Sequence, residues 1–165
     1  MSVAYHAPFM RRAIELSARA LDEPGTEPFG AVVVIDGTIV GEGFNHAAAH
    51  HDPTAHGEIE AIRDACRSLR RTSLEGATLY SSCEPCALCV AAMHLVGIRR
   101  LYYGASLAQS DAALACLPEA RRRAIDSSAL RRAAGQELPQ RDMPCEQHQA
   151  AQAMAVLGSW AAQAR

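Results

Sequence analysis

The chain has 165 residues, 49% of them hydrophobic, and a formal net charge of −2 at pH 7. That length can bury a sizeable core but is short for two domains, and the charge lacks the basic excess of a nucleic-acid binder. No segment approaches the ~20 apolar residues needed to span a bilayer.

Taken in chain order, Ala7 to Leu21 carries Phe9, Ala13, Ile14, Ala20 and Leu21 at helical spacing, and Glu23-Pro24-Gly25 ends that helix. Phe29 to Ile35 is β-rich, Asp36-Gly37 is a two-residue hairpin turn, and Thr38 to Phe44 returns as the second strand. A helix is expected from Gly57 to about Arg71, a short buried strand over Thr78 to Ser81, a helix over Cys86 to Val96 and a strand over Arg99 to Tyr103. Beyond Gly104 the pattern yields helical pieces at Leu107 to Cys116, Glu119 to Ile125 and Ser127 to Ala134, then a stretch punctuated by Pro139 and Pro144. Glu146 to Ala164 closes as a helix whose apolar stripe is Ala153, Met154, Val156, Leu157, Trp160 and Ala161. Alternation of this kind predicts an α/β layer architecture with a mixed sheet and right-handed crossovers, in one domain spanning residues 1–165. Its core is about 27–103 and its helical tail about 105–165.

Chemistry concentrates in two short stretches, His56-Gly57-Glu58 and Ser82-Cys83-Glu84-Pro85-Cys86-Ala87-Leu88-Cys89. Pro85 suits the first turn of a helix, which puts Cys86 and Cys89 at i and i+3 on one face near its positive end, where thiolates are favoured. The same reasoning puts His56 at the start of the preceding helix. One His and two Cys can hold a zinc ion and leave its fourth position open for water, as in catalytic rather than closed structural sites. Two thiolates cancel the ionic charge, so the water is acidified less than on an all-histidine site, and a nearby base becomes necessary. Glu58, two residues after the ligand, can take the water proton and hand it to a ring nitrogen and a departing amine. Taken alone, C-x-x-C fits a redox pair, a structural zinc or a catalytic zinc; H-x-E upstream selects the last. Cys83 extends the run toward a ferredoxin pattern, but Met93 and His94 stand where a fourth Cys and a Pro belong, so Cys83 is read as a non-ligand.

Elsewhere, Cys66, Cys116 and Cys145 are expected as small packed side chains. The N-terminus lacks a charged start followed by an apolar core, so free thiols in a reducing cytoplasm are expected rather than a disulfide framework. Arg121, Arg122, Arg123, Arg131 and Arg132 could bind phosphate, although Glu119 and Asp126 nearby favour a solvated face.

The paired motif is that of the zinc nucleobase deaminases. From about Glu27 to Tyr103 the chain resembles the cytidine deaminase-like superfamily. Pro28-Phe29-Gly30-Ala31, the Asp36-Gly37 hairpin, Asn45, Asp52-Pro53-Thr54-Ala55-His56-Gly57-Glu58 and Ser82 to Cys86 look most like bacterial guanine deaminases, with tRNA adenosine deaminases similar too. The resemblance implies a three-layer α/β/α fold with a helix-rich C-terminal extension. It further implies zinc on His56, Cys86 and Cys89, and Glu58 as proton shuttle. Asn45 would hydrogen-bond the substrate, Phe29 would wall the pocket, and the protein would be a homodimer. Asp111, in Ser110-Asp111-Ala112-Ala113, resembles with a two-residue offset an acid that reads the purine; a helix N-cap is the other reading of it. Gly57 replaces the usual Ala, which loosens the helix start slightly. The tail departs from both groups, offering neither a basic terminal helix nor an aromatic-rich strand. His50, His51 and His94 could reach a substrate, and Trp160 could cover a neighbour's pocket, but solvation or packing are the plainer roles of such residues. The leading expectation is therefore an aminohydrolase of a small amino-heterocycle, with a guanine-like purine favoured. A base-flipping nucleic-acid editor and a zinc-stabilised binding module are the rivals.

Overall fold

The computed structural model of the chain describes residues 4–118, 126–135 and 145–163. Helix α1 (Ala7–Ala18) runs into a 3-10 turn at Arg19–Leu21 and is followed by the hairpin β1 (Glu27–Ile35) and β2 (Thr38–Asn45). Then come α2 (Gly57–Leu69), β3 (Thr78–Cys83), α3 (Ala87–Val96), β4 (Arg100–Ala105), α4 (Leu107–Leu114), α5 (Ser127–Gly135) and α6 (Ala150–Gln163). The expected helix at Glu119 to Ile125 falls outside the described residues, as do Arg121, Arg122, Arg123, Pro139 and Pro144.

The sheet has the order β2-β1-β3-β4, with β1 antiparallel to both β2 and β3, and β3 parallel to β4. Asp36 and Gly37 both adopt positive φ, as a two-residue hairpin turn requires. At the other end of β1 the register shifts between Glu27 and Gly30, a bulge that accommodates Pro28. The strand therefore starts two residues earlier than its composition predicts.

Each face of the sheet is covered by helix. Met10, Ala13 and Leu16 of α1 pack on Val32, Val34, Phe44 and Tyr80. Ala61, Ile62 and Ala65 of α2 and Met93 of α3 pack on Ala31, Val33 and Leu79 of the opposite face. The mixed sheet and α/β/α layering expected from the chain are thus present. The apolar face of α1 differs from the expected one: Ile14 and Leu21 are exposed, and Met10 and Leu16 point inward instead. Arg12 ties this helix to the sheet edge through a two-pronged bond, with Nε and Nη2 each 2.7 Å from a carboxylate oxygen of Glu42.

Glycines decide how close α2 lies. A Cβ on Gly41 would sit 2.4 Å from the carbonyl oxygen of Ala61, and one on Gly43 would sit 2.4 Å from the amide of Ala61. Backbone therefore rests on backbone along β2. Compactness divides the chain into residues 1–130 and 131–165. In the second unit α6 carries its expected stripe, with Met154, Val156, Leu157 and Trp160 all exposed. None of the described helices is long and apolar enough to cross a membrane.

Candidate metal centre

Strand directions gather the carboxyl ends of β2 and β3 at one edge of the sheet, where open α/β sheets place their ligands. His56 caps α2 in extended backbone, and Cys86 does the same for α3, so both helices begin at a side chain able to bind a metal. This corrects one local expectation: Pro85 lies before the N-cap rather than in the first turn. Cys89 then lies within the first turn of α3 and is fully buried.

The Nδ1 of His56 is 3.5 Å from the sulfur of Cys86 and 3.5 Å from that of Cys89, and the two sulfurs are 3.7 Å apart. Tetrahedral zinc with bonds of about 2.3 Å to sulfur and about 2.05 Å to nitrogen separates its ligands by about 3.8 Å (S to S) and about 3.6 Å (N to S). The three donors thus stand at the spacing this ion needs. Their electrostatics prepare for a cation as well. Hydrogen bonding with Cys89 and with His56 pushes the Cys86 thiol down to about 4. Contact with Cys86, burial and the nearby Glu58 hold the Cys89 thiol protonated above the usual range. The bond to Cys86 raises the His56 imidazole. Loading a metal must therefore expel the Cys89 proton and competes with protons at His56.

Glu58 is buried beside this trio. Its Oε2 lies 3.4 Å from the Cys89 sulfur, and its Oε1 accepts a hydrogen bond from the Ser81 hydroxyl at 3.2 Å. Burial pushes the Glu58 carboxyl above the ordinary carboxylate range, the direction suited to a group that must both take and return a proton. Ser81 is a contributor that sequence reasoning missed. Its only signal is its place in a short strand that is buried nearly throughout, which marks burial but not a polar partner.

Gly57, between ligand and acid, does more than loosen the helix start. A Cβ there would lie 2.4 Å from the carbonyl oxygen of Phe29, so its absence lets β1 approach the head of α2. Phe29 is brought next to the ligand helix in this way. Asn45, buried at the end of β2, accepts the Ala47 amide on Oδ1 at 2.9 Å, and the next residue's amide donates to the carbonyl of Ala55, just before His56. Asp111 is exposed on α4 and is not its N-cap; Ser106 caps that helix in a reciprocal box with Gln109. Cys83 is buried and turned toward Ser110, and burial pushes its thiol up. His94 meets the guanidinium of Arg99 at 2.8 Å, and His51 is exposed.

Over His56 and Cys86 opens a cavity of about 520 Å³, walled by Pro53, Leu88, Asp126, Ala129 and Leu130. The last three come from α5 and its approach, which no motif in the sequence connects to the centre.

Comparison with known proteins agrees with this geometry. The family described as the cytidine and deoxycytidylate deaminase zinc-binding region matches residues 4–105. A guanine deaminase of Bacillus subtilis is 41% identical over 108 residues, 66% of this chain and 68% of that protein. A tRNA-specific adenosine deaminase of Agrobacterium fabrum is 45% identical over 97 residues, 59% of this chain and 63% of that protein. The solved structure of guanine deaminase from Bacillus subtilis superimposes with a TM-score of 0.77 at 32% identity, covering 95% of this chain and 94% of that one.

Proposed function

Because the chain belongs to the cytidine and deoxycytidylate deaminase family, we propose that it hydrolyses the exocyclic amine of a free nucleobase or related amino-heterocycle, a guanine-like purine being favoured, to the oxo form and ammonia. The observation that carries this reading is a buried acid beside a three-donor set at zinc spacing, under a cavity sized for a small molecule. Zinc, when bound by His56, Cys86 and Cys89, supplies a Lewis-acidic fourth position for the attacking water.

The chain's own residues supply the rest. Glu58 takes a proton from the water as its oxygen adds to the amidine carbon. It passes that proton to the ring nitrogen, then takes the second one from the newly added hydroxyl and passes it to the leaving amine, so that water and substrate become the oxo heterocycle and ammonia. Ser81 holds the carboxylate toward the sulfurs through its hydroxyl. Asn45, whose oxygen is engaged by Ala47, offers its amide N–H groups to an acceptor on the substrate. Phe29 and Asp111, neither of which lines the cavity over His56 and Cys86, are the further candidates for contacting the ring.

Similarity to a tRNA-specific adenosine deaminase supports a second reading, in which a flipped base enters the same cavity. The net charge of −2 favours the small molecule. Ammonia release by the zinc-loaded protein against free bases, nucleosides, aminopterins, aminotriazines and transfer RNA separates the two. Turnover of one small molecule is the expected result, and turnover of RNA alone overturns it. Sizing in solution tests the homodimer we also infer from the family.

A further inference from the structure

We propose that His46, His50 and Glu60 form a second divalent-metal site, separate from the cysteine centre and suited to a borderline cation such as Zn2+. Their donor atoms all lie within 4.8 Å of one another. Two elements bring them together. The His50 amide donates to the His46 carbonyl at 2.9 Å, which makes residues 46–50 one helical turn and places the two histidines on one side of it. Their rings stack nearly parallel, 4.6 Å between centroids. Glu60 comes from the first turn of α2.

The orientation of His46 is that of a metal ligand. Its Nδ1 lies 2.8 Å from the Phe44 carbonyl, an acceptor, so Nδ1 carries the proton and the Nε2 lone pair is left for an ion. Glu60 is held by Arg63, whose Nη1 reaches Oε1 at 2.7 Å. His46 and Glu60 also line a cavity of about 190 Å³ shared with Glu42, Asp64, Arg19 and Arg67, which gives waters room to complete the coordination. Two imidazoles and a carboxylate, with no sulfur, match the borderline divalent ions.

Closing on an ion with bonds of about 2.05 Å requires donors about 3.3 Å apart. The exposed His50 side chain provides that movement by leaving its stack. Affinity is accordingly lower than at the cysteine centre, where the spacing is already met. Occupancy would pin the 46–56 loop, which joins Asn45 to His56, onto α2.

Zinc stoichiometry, measured by equilibrium dialysis and elemental analysis, tests the assignment on wild type, His50→Ala and Glu60→Gln. Wild type should hold two equivalents, the second more weakly. His50→Ala should hold one, and Glu60→Gln should bind the second at least tenfold more weakly. Retention of the first equivalent reports that the variants are folded. A single equivalent in wild type, or an undiminished second one in His50→Ala, overturns the site. Cobalt provides an independent readout, because only the first equivalent should add thiolate-to-metal charge-transfer absorption. Such absorption on the second equivalent would place it on cysteine and refute the proposal.

Discussion

Glu58 is the residue on which turnover should depend most. Changing it to Gln keeps all three metal donors and the hydrogen bond from Ser81 in shape, but removes the proton carrier. A loss of about 10²- to 10⁴-fold in kcat with a full zinc complement is expected. Ammonia release and elemental zinc on the same sample check this, and unchanged turnover would remove the acid from the mechanism. That His56, Glu58, Cys86 and Cys89 would come together was legible in the sequence, because they stand in two short stretches at fixed spacing. Ser81 was not, because a serine in a strand buried on both faces looks like any small buried residue. Gly57 was legible only in part for a related reason: the effect of its missing Cβ also depends on the Phe29 carbonyl, which lies in another element.

Between elements, that close approach makes a prediction. Gly57→Ala forces the head of α2 away from β1, and overpacking of this kind costs about 1 to 3 kcal/mol. Thermal melting should show the loss, together with weaker zinc binding, since His56 is displaced with the helix. The joint between α1 and β2 should respond to acid. Its Arg12 bond holds the Glu42 carboxyl below its ordinary 4.5, so the joint is strongest above that value and weakens as pH falls through the lower folded one. The stability difference between wild type and Arg12→Ala, from denaturant melts, should therefore be largest near neutral pH and shrink below about pH 4. A constant difference would show that the bond is not linked to protonation. The hairpin was readable from Asp36-Gly37 alone. The buried face of α1 was not, because Met10 and Leu16 are one choice among several helical stripes until the sheet fixes the side.

For the protein as a whole, zinc should act as a folding ligand. Chelation should lower the melting temperature by several degrees, and restoring zinc at a thousandfold excess over its Kd should return about 4 kcal/mol. Cys86→Ala should melt like the chelated protein and lose the tight part of the response to added zinc, keeping only the weaker one of the His46–His50–Glu60 site. The mixed sheet and its α/β layers followed from the alternation of elements, whereas the strand order β2-β1-β3-β4 did not. The wall contributed by Asp126, Ala129 and Leu130 did not, since tertiary folding alone carries it to the centre. The distribution of the three ligands along the chain has a further consequence. Cys86 and Cys89 are three residues apart, whereas His56 lies 30 residues before Cys86. An unfolded chain can thus grip zinc with its sulfur pair at almost no cost in disorder. Recruiting the imidazole closes a long loop, a restriction that a cross-link of this span would relieve by about 3 to 4 kcal/mol. Capture of the ion and completion of its coordination are therefore separable events, and the second coincides with the docking of α2 and α3 on the sheet.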